Sequence, residues 1–175
     1  RDRSPSRGLG DVYKRQDLTL PEFARLVDAF YLGGTKNGTL FGEALVITRP
    51  ELTHDFFRMK KRMGAVMEKG WLQGVQFEAI LKDNLYFDMA RHANVLAGRL
   101  QEGVKALGLP LMTESCTNQI FPIVKNELRP RLEQVCAFED WCPFDAEHTV
   151  IRFVTCFHTT QEDVDALLSE LKKLL

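Results

Sequence analysis

The sequence lacks the features that mark membrane and nucleic-acid-binding proteins. Its 175 residues contain no uninterrupted apolar run of about 18 residues, the length that a transmembrane helix needs, so we expect no membrane partner. Lys and Arg number 23 against 24 Asp and Glu, and the net charge of -1 gives no basic surface for nucleic acid. With 45% hydrophobic residues, the chain has enough apolar surface to form a globular core.

Cysteine is scarce, and its spacing excludes two further classes of protein. The four cysteines contain no C-x-x-C pair, which argues against a zinc site, and they are too few for a disulfide framework. The charged N-terminus is not followed by an apolar segment, so no signal peptide is visible. We therefore expect reduced thiols, no metal and a cytoplasmic location.

Residues 1–16 differ in composition from the rest of the chain. RDRSPSRGLGDVYKRQ has five basic and two acidic residues and shows neither a helical nor a strand period. The string is similar to an adapter-derived scar at the end of an assembled gene. We interpret it as a non-native or disordered tail and expect the natural protein sequence to begin at about Asp17.

Residues 17–75 have the pattern expected for the end of a large α/β domain. A short helix with Pro21 in its first turn precedes two β-rich runs, 29–32 and 43–48, on either side of a glycine-flanked turn. Phe, Met and Val then recur at helical spacing between residues 56 and 67, and we assign this stripe to the buried core.

The remaining sequence predicts a linking helix and a small C-terminal domain. One long helix is expected over 76–108, with a kink possible near Asp83. Residues 109–175 follow the order β-α-β-β-α, which predicts an antiparallel sheet covered by helices on one face. The last helix is expected to open with a capping box formed by Thr159 and Glu162.

A glycine-flanked lysine is the first candidate for chemistry. Lys36 lies in the segment GGTKNG, between the two predicted strands. Held there in a pocket shielded from water, a lysine supplies the neutral amine that Schiff-base chemistry requires. On the spacing of the glycines alone, a lysine in such a turn is more often solvated than shielded from water. A nucleotide P-loop is excluded by pattern, because the sequence contains no G-x-x-x-x-G-K-[ST], and a G-x-G-x-x-G pattern is absent as well.

Arg152 is the second candidate. It lies in the middle of a predicted strand with apolar neighbours, where a guanidinium needs a fixed anion. The anion could equally well be the carboxylate of a ligand or that of an internal residue such as Asp145 or Glu147.

Three stretches of the sequence together resemble one enzyme family. They are FYLGGTKNGTLFGEA at 30–44, KRMGA at 61–65 leading to GVQF at 74–77, and VIRFVT at 150–155. In order and spacing they resemble the threonine aldolase and aromatic amino-acid β-eliminating lyase family, pyridoxal phosphate (PLP) enzymes of the aspartate-aminotransferase fold type. The resemblance covers residues 17–175.

The resemblance implies a fold, a reaction and roles for three residues. Lys36 corresponds to the lysine that forms a Schiff base with PLP, Thr35 approaches the cofactor phosphate, and Arg152 binds the substrate carboxylate. The implied fold is α/β, the C-terminal portion of a fold-type-I PLP enzyme, with the last strands of the large-domain sheet followed by the linking helix and small domain. The implied reaction cleaves a threonine-like β-hydroxy amino acid to glycine and an aldehyde.

The resemblance also implies that parts of the site lie elsewhere. In the family, the aspartate on the pyridine nitrogen, the ring-stacking residue and the phosphate loop precede the lysine, and active sites form in homodimers or homotetramers. We therefore expect this chain alone to be inactive. Cys156 stands where many relatives carry a histidine, which leaves the aldehyde preference open. Two alternatives remain: a β-eliminating lyase for another amino acid, and a non-catalytic α/β interaction module.

Overall fold

The computed structural model describes residues 19–175, so the interpretation of residues 1–16 lies outside the described part. The chain divides into two compact units, Arg1–Met89 and Ala90–Leu175. Within the described residues, no helix combines the length and apolar character that crossing a membrane demands. The domain boundaries given above stay a prediction.

The first described element is a short helix with a complete N-terminal cap. Helix α1 (Leu20–Ala24) follows Thr19, whose hydroxyl accepts a hydrogen bond from the Glu22 backbone N–H. The Glu22 carboxylate in turn accepts one from the Thr19 backbone N–H at 2.6 Å. Hydrogen bonds from Thr19 lower the pKa of Glu22. The predicted place of Pro21, in the first turn, is confirmed.

Both strands predicted for the first unit are present and form an antiparallel hairpin. Strand β1 (Ala29–Gly33) pairs with β2 (Glu43–Ile47) from Ala29 opposite Ile47 to Gly33 opposite Glu43. Leu32 on β1 is buried and contributes to the core of this unit. The other buried members of this core are Phe77, Ile80 and Tyr86.

The apolar stripe predicted as core is not buried in the described chain. A 3-10 turn (Pro50–Thr53) leads to helix α2 (Phe56–Arg62), which ends before Gly64, a residue with φ of +68°. Because the helix ends there, the periodic positions do not form one continuous face. Phe56 is half-buried, and the prediction of core packing is wrong for the other four residues of the stripe, which are exposed: Met59, Met63, Val66 and Met67.

Two helices occupy the region where one long helix was predicted. Helix α3 (Trp71–Leu81) and helix α4 (Leu85–Ala106) are separated by a 3-10 turn (Lys82–Asn84). Asp83 and Asn84 have φ of 52° and 62°, and this left-handed backbone cannot continue an α-helix. The break lies where the sequence indicated a kink, and the division between the two units falls within α4.

The second unit is built on an antiparallel sheet with β6 (His148–Val154) at its centre. β3 (Gln119–Ile120) and β4 (Ile123–Lys125) follow one continuous register along one side of β6. β5 (Glu139–Pro143) pairs with the other side and carries a bulge. The predicted antiparallel sheet is thus confirmed.

Helices cover one face of this sheet. A 3-10 turn (Asn126–Leu128) and helix α5 (Arg129–Leu132) lie between β4 and β5, and helix α6 (Gln161–Leu174) follows β6. The sheet and helices share one core, which includes Leu96, Leu100, Val104, Ile120, Val124, Leu132, Ile151, Phe153, Val164 and Leu171. A small separate cluster occupies the opposite face and consists of Phe121, Ile123 and Val150 with Cys142 beside them.

The cap of α6 lies one residue later than predicted. Thr160 is the N-cap, because its hydroxyl accepts from the Asp163 N–H at 3.1 Å and its own N–H donates to the Asp163 carboxylate at 2.8 Å. The Thr159 hydroxyl instead accepts from the Cys156 N–H at 2.9 Å, so the Thr159–Glu162 box is wrong. Hydrogen bonds from Thr160 lower the pKa of Asp163.

This corrected cap leads to a stability prediction. Thr160→Ala removes the acceptor for the Asp163 N–H, and we expect the free energy of unfolding to fall by about 1 kcal/mol. Glu162→Ala, at the position predicted wrongly for the box, is the matched control and should change it by less than about 0.5 kcal/mol. Urea unfolding measures both, and equal losses would contradict the assignment.

Candidate functional site

The lysine selected from the sequence lies in a tight turn between β1 and β2. Residues 35–38 form the turn, and the Gly34 carbonyl accepts hydrogen bonds from the backbone N–H groups of Asn37 at 2.8 Å and Thr39 at 3.1 Å. Gly38 closes the turn with φ of +103°, a conformation that favours glycine. The backbone on both sides of Lys36 is therefore fixed by hydrogen bonds.

Buried side chains anchor the turn to the core of the first unit. The Asn37 amide donates to the backbone carbonyl of Tyr86 at 2.7 Å, and the Tyr86 hydroxyl donates to the Gly33 carbonyl at 3.0 Å. Tyr86 is fully buried and Asn37 is 7% exposed. Neither residue is among the candidates predicted from the sequence. The signal for Asn37 was its position between the lysine and Gly38, whereas nothing local identified Tyr86.

The turn also needs a residue without a side chain at its start. A Cβ atom on Gly34 would lie 2.3 Å from the Thr39 hydroxyl oxygen and 2.8 Å from both the Gly42 carbonyl oxygen and the Phe77 ring. Real side chains do not approach backbone and rings so closely. The glycine preceding Thr35 is therefore required by packing.

Lys36 and Thr35 themselves are exposed. No acidic side chain forms an ion pair with Lys36 among residues 19–175. The described residues do not form a water-shielded pocket around the lysine, and its exposure agrees with the alternative that the spacing favoured, a solvated turn lysine. What the structure provides is an accessible amine on a rigid support.

Arg152 is held within the second unit by three neighbours. Its side chain is 11% exposed, and its two terminal nitrogens donate to the Glu139 carboxylate and, at 3.3 Å, to the Gln119 amide oxygen. The β5–β6 register places Glu139 directly opposite Arg152. The third neighbour is Trp141, whose ring centroid lies 5.2 Å from the guanidinium carbon.

The internal salt bridge that the sequence offered as one explanation is formed, but with Glu139, and the two counter-ions named for it are wrong. Asp145 lies in the turn before β6, where its carboxylate is 2.8 Å from His148 Nδ1. That hydrogen bond is the main cause that lowers the pKa of Asp145. Neither Asp145 nor Glu147 pairs with Arg152 in the described chain.

A β-bulge brings Trp141 to Arg152. The register shifts between Asp140 and Cys142, so one extra residue, Trp141, is inserted in β5. The indole also packs on Phe121, with ring centroids 5.1 Å apart. An arginine stacked on an aromatic face keeps its edge free for hydrogen bonds, which suits planar recognition of a carboxylate.

The site residues are thus distributed over both units, and each cluster is built from its own unit. Thr35 and Lys36 belong to the first unit, and Arg152 belongs to the second. No group of three His, Cys, Asp or Glu side chains within residues 19–175 could hold a metal ion. All four cysteines are free thiols, and Cys156, the departure from the family pattern, is exposed.

Comparison with known proteins gives no match to any protein-family model. The chain is 33% identical to the low specificity L-threonine aldolase of Pseudomonas aeruginosa over 96 residues, which are 54% of this chain and 28% of that protein. The solved structure of Leishmania major threonine aldolase is 37% identical with a TM-score of 0.82, and the match covers 95% of this chain and 48% of that one.

A more distant structure shares only the fold. It is Sphingomonas wittichii serine palmitoyltransferase, 18% identical with a TM-score of 0.61, and the match covers 85% of this chain and 39% of that one. The predicted fold, the α/β C-terminal portion of a fold-type-I PLP enzyme, is confirmed by these structures. The chain spans about half the length of the threonine aldolase structure that it matches.

The close packing around the lysine turn can be tested by substitution. Gly34→Ala forces the turn away from Thr39 and Gly42, and we expect the free energy of unfolding to fall by about 1–3 kcal/mol. Gly74→Ala is the control, because a Cβ there meets nothing within 4 Å. It lies inside α3, where alanine should stabilise by about 0.5–1 kcal/mol. A Gly34→Ala protein as stable as the wild type would contradict the packing.

Proposed function

We propose that this chain is part of a PLP-dependent lyase, because it is related to the threonine aldolases in sequence and in fold. The reaction would cleave a threonine-like β-hydroxy amino acid to glycine and an aldehyde. The observation that carries this proposal is the match to Leishmania major threonine aldolase, with 37% identity and a TM-score of 0.82 over 95% of this chain.

Lys36 is proposed as the residue that bonds to the cofactor. PLP, when bound, supplies an electron sink for the bond between Cα and Cβ of an amino acid. The fixed turn favours this role for Lys36, because hydrogen bonds to Gly34 and Tyr86 hold its backbone while its amine stays exposed. A lysine without a competing carboxylate in the described chain is free to react with an aldehyde. Thr35, next to it in the turn, is proposed to approach the cofactor phosphate.

Arg152 is proposed to bind the substrate carboxylate. A guanidinium presents parallel N–H donors that match a carboxylate in two hydrogen bonds. In this chain the strand, Gln119 and the Trp141 ring restrict where those donors lie. Orientation of the carboxylate would fix the amino acid relative to the cofactor, which is a positioning contribution to catalysis.

We further propose that residues outside this chain complete the site. The chain covers 48% of the Leishmania major structure, so about half of such an enzyme would have to supply the remaining cofactor contacts. On this proposal the chain alone is inactive, and the working enzyme is a cytoplasmic homodimer or homotetramer.

A chimera tests the proposed reaction. Residues 19–175 would replace the corresponding part of the Leishmania major threonine aldolase, whose structure matches 95% of this chain, and glycine release from L-threonine would be measured with PLP present. We expect activity that falls to background with Lys36→Ala. Arg152→Lys should raise KM by about tenfold or more, because a point charge replaces a two-pronged contact.

The outcomes separate the candidate functions. A folded chimera that binds PLP but releases ammonia and a keto acid rather than glycine would favour the β-eliminating alternative. Full activity after Lys36→Ala would contradict the proposed role of Lys36, whereas a folded chimera that neither binds PLP nor releases glycine would favour the interaction module. Gly74→Ala in the chimera is the control, since a Cβ at that position meets nothing within 4 Å in this chain.

A further inference from the structure

The two partners in the Arg152–Glu139 ion pair are held very differently. The Arg152 side chain is 11% exposed, whereas that of Glu139 is 67% exposed and begins strand β5. Gln119 and the Trp141 ring also contact the guanidinium. The cation is therefore anchored, and the anion is the partner that can leave.

The hydrogen-bonding capacity of Arg152 is not used up by its present neighbours. Only one terminal nitrogen donates to Glu139, the other donates to the neutral Gln119 amide at 3.3 Å, and the buried Nε has no acceptor among the described residues. A guanidinium forms its strongest contact with a carboxylate that accepts two parallel hydrogen bonds. An incoming carboxylate that binds in this way gains a contact that Glu139 does not make.

Displacement of Glu139 by another carboxylate costs little. Water solvates the exposed Glu139 carboxylate well once it is released, and the incoming carboxylate again pairs the charge of the nearly buried guanidinium. Asp140, the next residue of β5, pairs with a different arginine, Arg129. Trp141, inserted by the bulge, lies with its ring centroid 5.2 Å from the guanidinium carbon, so Glu139 is not the only group that contacts Arg152.

We propose that Glu139 is an internal competitor for the carboxylate-binding site of Arg152. Its carboxylate occupies the guanidinium in the free chain and returns to water when the carboxylate of an amino acid binds. Glu139 thereby sets how tightly this site holds its ligand. The identity of the ligand as an amino acid rests on the proposed function, whereas the competition rests on the contacts of Arg152 alone.

Nuclear magnetic resonance on the full chain tests the competition without cofactor. Glycine is titrated at constant ionic strength while the Arg152 Nε–H and Trp141 indole N–H signals are followed, and Trp71→Phe assigns the indole. We expect glycine, but not glycinamide, to shift both signals. Glu139→Gln should tighten the glycine dissociation constant by about two- to fivefold, the range expected when an exposed ion pair is removed.

Three variants control the measurement. Asp140→Asn removes the adjacent carboxylate and should leave the glycine affinity unchanged. Arg152→Lys should abolish the shift of the indole signal. Glu139→Asp keeps the charge but shortens the side chain, so it should also tighten binding, which covers the case in which Glu139→Gln fails to fold.

The competition is wrong if removal of the Glu139 carboxylate weakens glycine binding or leaves it unchanged, or if glycine moves neither signal in any variant. Glu139 would then be a structural partner of Arg152. Failure here leaves the lyase proposal intact when the chimera releases glycine. Tighter binding in Glu139→Gln with an inactive chimera would instead leave a carboxylate site without the proposed reaction.

Discussion

The buried tyrosine of the first unit is the contact on which the lysine turn depends. Tyr86 has no exposed surface, and it binds the turn twice, through its hydroxyl to Gly33 and through its carbonyl to Asn37. These bonds lie on both sides of Lys36, so the backbone that carries the amine cannot move without breaking buried hydrogen bonds. Rigid support of an exposed reactive group is the arrangement that accurate positioning requires.

In the second unit, Arg152 is held by contacts of a different kind. Arg152 lies on the central strand of the sheet, on the face opposite the helices, and a bulge in the neighbouring strand directs an indole towards it. The helix-covered face carries the core that holds the sheet together. The core and the proposed ligand-binding arginine thus lie on opposite faces of one sheet, so the polar cluster does not interrupt the packing.

Local features of the sequence predicted much of this fold. The glycine-flanked turn between two apolar runs identified the hairpin, and the left-handed residues Asp83 and Asn84 lie where a kink was expected. Predictions that depended on distant partners failed. The register of β5, which pairs Glu139 with Arg152, cannot be derived from residue spacing, and neither can the buried contacts of Tyr86. The assignment of the apolar stripe at 56–67 to the core was wrong, because apolar periodicity indicates an amphipathic face but does not show what covers that face.

The central claim is that Lys36 is the lysine that bonds to PLP. Incubation of the chimera with PLP, reduction with borohydride and peptide mapping by mass spectrometry tests it directly, because the chimera supplies the cofactor contacts that lie outside this chain. We expect the adduct on Lys36 at several times the level on Lys60 and Lys61, which are exposed in this chain, and we expect Lys36→Arg to remove only that adduct. Labelling spread evenly over the exposed lysines would contradict it.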